Sequence, residues 1–411
     1  MSGRVILYVL AEALLLPFVL LYLLAGAKHR KSLLKRFGLG LEPAEACLWV
    51  HAVSVGEFLA GRRLIQTLQN RCPDTPVVVS TVTLTGAKVA QAGQTRHIFF
   101  PFDFPCVVEK FLNRLRPRAV IILETEVWPY FLRTCARRGI PAAICNGRLS
   151  ETSFRRYRRL GWLLRPFFTS IPLILAQGES DAERFRSLGA RDVRVTGNIK
   201  YDAVLPTLPE DVAGIYRDFA AGRNGWVAGS TMPGEEQPVL EAHAQVLKQD
   251  PGAFLILAPR HPERRDEVAA LLMERGFAFL QRSAFSSPPS PVPRPPVLLL
   301  DAVGELAYAY QYGRVCFVGG SLVPTGGHNI IEPALFEKTT VIGPHYENFK
   351  GIVEDFLEHE AVVVASPEAF PARIAELFRD PGAFGDRAHA VVKANKGALR
   401  RTLEALSPFL P

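Results

Sequence analysis

A chain of 411 residues is too long for one ordinary core, so two domains with some added elements are predicted. Its 48% hydrophobic and 21% charged content is that of a folded protein, not of a low-complexity chain. Net charge +8 and a pI near 9.2 suit anionic partners, yet no RNA-binding signature interleaves aromatic with basic residues, which sets nucleic acid aside.

Residues 5–27 (VILYVLAEALLLPFVLLYLLAGA), interrupted by Glu12 and Pro17, form an apolar stretch long enough to span a bilayer and read as a membrane anchor. The cluster KHRKSLLKR follows, so the positive-inside rule places the remainder in the cytoplasm. Two readings compete. A cleaved signal peptide has the small-residue run AGA in its favour but only Arg4 in its n-region, and Glu12 favours a helix lying in the interface. Cys47, Cys72, Cys106, Cys135, Cys145 and Cys316 lie mostly in or beside apolar runs without a C-x-x-C pair, and read as reduced, buried thiols.

From Leu48 onward, β-branched runs alternate with helical patterns: LWVHAV, PVVVSTV, AVIILE, PAAICN, PLILAQ and VRVTG. That rhythm is an α/β fold with a parallel sheet and crossover helices. It breaks across residues 202–224, around Pro206 and Pro209, and resumes as WVAGS, AFLILAP, FAFLQ, VLLLD, VCFVGG, TTVIGP and AVVVA. Two Rossmann-like domains are expected, divided as 28–205 and 206–411 after the anchor at 1–27. The segment SAFSSPPSPVPRPP is a surface loop, and the tail 383–410 has helical periodicity.

The segment FVGGSLVPTGGHNIIEPA, residues 317–334, brackets a strand exit and a helix entrance with two glycine pairs. Such an arrangement offers backbone N–H groups to a phosphate, with Glu332 in the first turn placed for a ribose. Asn329 and Glu332 equally form a capping box that needs no ligand. In HAVSVGE, Glu57 opens a helix at a strand's carboxyl end, either as a general base or as a first-turn carboxylate favoured by the helix dipole. ILETEVWP places Glu124 and Glu126 at another strand end, GNIKYD offers Lys200, PRHPER offers Arg260, and GELAYAY offers a further helix start. No convincing D-x-D pair stands near these motifs, which leaves phosphate charge to N–H groups, Arg260 and Lys200.

Taken together, HAVSVGE, ILETEVWP, NGRLS, GNIKYD, PRHPER, GGSLVPTGGHNIIEPA and GPHYENFK resemble the Kdo transferases, which add 3-deoxy-octulosonic acid to the lipid A precursor. The resemblance covers nearly the whole chain. It implies a GT-B fold of two Rossmann-like domains facing a cleft: an N-terminal acceptor domain and a C-terminal CMP-sugar-binding domain. It further implies CMP-Kdo as donor, lipid IVA as acceptor, inverting displacement without metal or other cofactor, and a place on the cytoplasmic side of a bacterial inner membrane. Residue by residue, the base falls on Glu57 and the transition-state stabilisers on Glu124 and Lys200. Nucleotide contacts fall on Pro259, Arg260, Gly304, Glu305, Leu306, Asn329, Ile330, Ile331 and Glu332, where the usual N-x-L-E reads NIIE. The rival enzyme reading is a GT-B transferase using a UDP-sugar on another lipid-linked acceptor, and a non-catalytic alternative is a membrane-tethered sugar-binding module.

Overall fold

The computed structural model describes residues 27–44, 46–93, 95–285 and 294–411. The expected apolar helix at 5–27 falls outside the described residues but for Ala27, and residues 286–293 of the proline-rich loop also lie outside them. Among the described residues, no helix is long and apolar enough to cross a membrane. Helix Ala27–Arg36 carries the basic cluster. Arg36 at its end is buried, donating from Nε to the Phe100 carbonyl at 3.0 Å with its guanidinium 4.0 Å from the Phe102 ring centre. Burial lowers its pKa to about 10, so this member of the cluster serves the fold rather than a solvated positive face.

The described residues as far as Asp202, joined by Asn395–Pro411, make one compact unit, and Ala203–Ala394 make the other. The first unit holds a seven-stranded, all-parallel sheet: β1 (Leu48–His51), β2 (Val77–Thr81), β3 (Arg96–Phe99), β4 (Ala119–Leu123), β5 (Ala142–Gly147), β6 (Leu173–Ala176) and β7 (Val193–Val195). Their order is β3-β2-β1-β4-β5-β6-β7. Covered on both faces by helices, β1, β2, β4, β5 and β6 bury every residue, which is why they read as near-continuous apolar runs, polar only at their carboxyl ends in His51, Ser80, Thr81 and Asn146. The edge strand β3 keeps Arg96, His97 and Ile98 partly exposed, so no such run announces it in the sequence.

The second unit repeats the plan with β8 (Gly225–Thr231), β9 (Phe254–Pro259), β10 (Phe279–Gln281), β11 (Val297–Leu299), β12 (Val315–Val318), β13 (Thr339–Ile342) and β14 (Val363–Val364), ordered β10-β11-β9-β8-β12-β13-β14. In each sheet the winding reverses beside the first strand, at β1/β4 and at β8/β12. Loops leaving the carboxyl ends there diverge to opposite faces and open a crevice, the usual ligand position in such sheets.

The chain's end differs from the division at residue 205, which gave all of 206–411 to the second domain. Helix Ala398–Leu406 belongs to the first unit, where Leu403 and Leu406 share a core with Leu48, Ile65 and Leu173. Asp202 caps it by accepting from the N–H groups of Gly397 at 2.8 Å and Leu399 at 2.6 Å. Arg401 adds a bond from Nε to the Thr196 carbonyl at 2.9 Å.

Candidate active site

At the β1/β4 reversal of the first unit, the sequence folds so as to gather charge. Past β1, Ser54 starts helix Val55–Arg71, its hydroxyl accepting from the Glu57 N–H at 3.4 Å while Glu57 Oε2 accepts from the Val53 N–H at 2.6 Å. The arrangement is a variant of the capping box in which the carboxylate reaches one residue further back, past the N-cap Ser54 to Val53, and it holds the Glu57 carboxyl at the exit of β1. Past β4, Glu124 takes φ 58°, a left-handed backbone uncommon for a residue other than glycine, held by its N–H bond to the Cys145 carbonyl at 2.9 Å. The following loop is fixed at both ends. Thr125 Oγ1 accepts from the Arg148 N–H at 3.1 Å, and Asp103 caps helix Pro129–Arg137 through the N–H groups of Tyr130 and Phe131 at 2.9 and 2.7 Å.

Lys200, expected as an ammonium near the leaving phosphate, lies in the 3₁₀ turn Ile199–Asp202 and pairs with Glu124 at 3.1 Å. Burial, then the like charge of Glu124, pushes Glu57 up to about 8, although the Val53 N–H and Lys200 pull the other way. The same two causes push Glu126 up to about 7. One fold end thus holds carboxyls poised to exchange protons near neutral pH beside an ion pair, the pattern that general acid–base sites show. His51, which opens the HAVSVGE motif, takes no part. It is fully buried, its Nδ1 2.9 Å from Ser80 Oγ, and burial lowers its pKa to about 3.

In the second unit the glycine pairs behave differently from expectation. The N–H groups of Gly320, Ser321 and Leu322 do not wait for a phosphate; they donate to the wholly buried carboxylate of Glu235 at 2.7, 2.9 and 2.8 Å. Glu235 also accepts from the Met232 N–H at 2.8 Å, so an internal anion fills this nest and ties the β8 loop to the β12 loop. Gly320, Gly326 and Gly327 all have positive φ, which explains the glycines without a ligand. Gly343 of GPHYENFK backs onto the same loop so closely that a Cβ would collide with the Ser321 carbonyl.

The helix expected over IIEPALFE is one turn, Ile331–Ala334, followed by Glu337 at φ 58°. Asn329 Oδ1 accepts from the Ile331 N–H and its Nδ2 donates to Glu332 Oε1, both at 3.1 Å, which favours the local capping reading of this pair. Arg260 is exposed just beyond β9, with its N–H bound to the Thr231 carbonyl at 2.9 Å. Its charge acts on both Glu332 and His328, and His328 is lowered to about 4, first by burial. Pro259, Arg260 and the 328–332 turn therefore come together. Gly304, at φ 89°, precedes the short helix Leu306–Ala309, and Leu306 lies against Gly229 of β8. The Glu305 carboxylate is already engaged by Arg282 Nε at 2.8 Å and Tyr216 OH at 2.5 Å, and its carbonyl accepts from the Ala309 N–H at 3.0 Å, so its own N–H is the group it could offer a ligand.

Glu235 stands in none of the motifs singled out in the sequence. The signal was present: WVAGSTMPGEE repeats the strand, small-residue turn and Gly-Glu ending of HAVSVGE in the other half of the chain. Arg264 of PRHPER is likewise structural, clamping Glu236 at 2.7 Å.

Residues 31–203 match the family model described as 3-Deoxy-D-manno-octulosonic-acid transferase (kdotransferase). The chain is 33% identical to the 3-deoxy-D-manno-octulosonic acid transferase of Haemophilus influenzae, across 98% of this chain and 97% of that protein. It is 35% identical to the enzyme of that name from Bordetella pertussis, across 90% of this chain and 88% of the relative. Among solved structures, UDP-GlcNAc 2-epimerase from Neisseria meningitidis shares the fold at TM-score 0.59 and 14% identity, covering 88% of this chain and 100% of that one.

Proposed function

This chain belongs to the 3-deoxy-D-manno-octulosonic acid transferase family and is a glycosyltransferase that transfers Kdo, for which we propose a CMP-activated donor, lipid IVA as the acceptor, and Glu57 as the base. The observation that carries the site assignment is the Glu57, Glu124, Glu126 and Lys200 cluster at the β1/β4 reversal. In this reading Glu57 takes the proton of a glucosamine hydroxyl on the acceptor as that oxygen bonds to the anomeric carbon of Kdo. The bond from that carbon to the phosphate oxygen breaks on the opposite side, CMP leaves with the electron pair, and configuration inverts. A base whose pKa lies near the working pH combines adequate ionised fraction with adequate basicity, the condition Glu57 meets. Lys200, held on Glu124, supplies fixed positive charge as the transition state develops.

The second unit is assigned the donor's nucleotide. Arg260, exposed beside Asn329 and Glu332, supplies a guanidinium for the phosphate, and Gly304, Glu305 and Leu306 offer backbone groups. Pro259, Ile330 and Ile331 complete the apolar surroundings. The enzyme is read as a GT-B transferase held at the cytoplasmic side of the bacterial inner membrane by residues 5–27, next to a lipid acceptor whose phosphates suit the net positive charge. Nucleotide competition tests the donor: CMP is expected to inhibit transfer while UDP does not. Inhibition by UDP with none by CMP would replace this reading with a UDP-sugar enzyme.

A further inference from the structure

The turn Ile199–Asp202, which carries Lys200 to Glu124, is bonded at its far end through Asp202 and at its opening by side-chain amides from Asn146, Gln177 and Asn198. Asn146, at the carboxyl end of β5, opens the NGRLS motif, to which the catalytic reading gives no role. It is 1% exposed and takes φ 57°, a backbone that Asn tolerates better than most residues. Its Oδ1 accepts from the Ile199 N–H at 3.1 Å, and its carbonyl accepts from Gln177 Nε2 at 3.0 Å. Gln177, directly after β6, accepts in turn from Asn198 Nδ2 at 3.2 Å, and Asn198 Oδ1 accepts from the Lys200 N–H at 3.0 Å. The amide protons of both residues that open the turn are therefore fixed by this chain of amides.

The arrangement carries a cost that plain structural support does not require. Asn146 Nδ2 is buried without a hydrogen-bond partner, and both Asn146 and Glu124 hold left-handed backbones at neighbouring strand ends. Strain and an unpaired polar group kept together at a strand terminus mark a position where geometry is being specified.

We propose that Asn146, acting with Gln177 and Asn198, is a positioning residue that sets the Lys200 ammonium against Glu124. The inference rests on Glu124 and Lys200 serving the transfer reaction, and its test has one readout that does not depend on turnover. Asn146→Gly preserves the freedom for positive φ and removes the amide side chain. Brief labelling with acetic anhydride, read by mass spectrometry, is expected to modify Lys200 several-fold faster in this variant than in wild type. In the transferase assay kcat should fall roughly 10- to 100-fold, the usual effect of misplacing a group by an ångström, with donor KM little changed.

Asn198→Ala, which cuts the link nearest the lysine and leaves β5 intact, should move both readouts the same way and serves where Asn146→Gly fails to fold. Labelling that matches wild type in folded Asn198→Ala would overturn the proposal. Labelling that responds while kcat stays at the wild-type value would uphold the positioning and defeat the catalytic reading of Glu124 and Lys200 alone.

Discussion

Replacing Glu57 by Gln leaves an acceptor for the Val53 N–H while removing the titrating carboxyl, so its effect isolates the charge. Burial and the Glu124 charge carry this carboxyl from its ordinary 4.5 to about 8, which at 1.36 kcal/mol per pH unit amounts to roughly 5 kcal/mol against the ionised form. The side chain is partly open to solvent, and screening reduces the expectation to about 2 kcal/mol. The sign follows from linkage. With the folded pKa raised, the stabilising contribution of the protonated group is complete below about 4.5 and is lost as the pH climbs through about 8. Urea unfolding should therefore find Glu57→Gln equal to wild type near pH 4 and more stable by about 2 kcal/mol near pH 9. In the transferase assay the wild-type rate should rise with pH through about 8 as the base ionises, and the variant should lose about 10²- to 10⁴-fold in kcat. Equal stability of the two proteins at high pH would refute the raised carboxyl, and full activity of the variant would refute its role as base.

Lys200→Met removes a charge that holds the Glu57 pKa down, so the rising limb of the pH–rate profile should move to higher pH; an unmoved limb would count against their coupling. Glu235→Gln turns an NH₂ group toward backbone donors that now share a carboxylate, and urea unfolding should show a loss of about 3 kcal/mol. No change there would mean that the β12 loop does not depend on the internal anion. Asp202→Ala uncaps helix Ala398–Leu406, for which about 1 kcal/mol of stability and faster hydrogen exchange at Gly397 and Leu399 are expected. Unchanged exchange at those two amides would show that the cap is dispensable.

Buried parallel strands announced themselves because both of their faces are covered: LWVH, VVVST and AVIIL have no polar side to interrupt the run, whereas RHIF at the sheet edge keeps one. Glu57 and Glu124 stand at strand ends and Lys200 in the GNIKYD motif, positions that the sequence alone displays. Their mutual geometry was not, since residues 57, 124 and 200 meet through sheet order, which local patterns do not encode. The glycine-rich segment misled for a related reason. Backbone N–H groups that look available in sequence are satisfied by Glu235, which lies 85 residues away from Gly320 along the chain. The tail showed helical periodicity but not its destination, which is set by Leu403 and Leu406 joining the first unit's core and by the cap at Asp202.

Kdo transfer with Glu57 as the base can be read from the lipid itself. Lipid IVA is incubated with CMP-Kdo and the full chain and analysed by mass spectrometry, with Glu57→Ala and a chelator-treated sample alongside. Mass gains in Kdo steps are expected, retained with chelator and lost in Glu57→Ala. An unmodified lipid beside an active control enzyme, or undiminished transfer by Glu57→Ala, would contradict it.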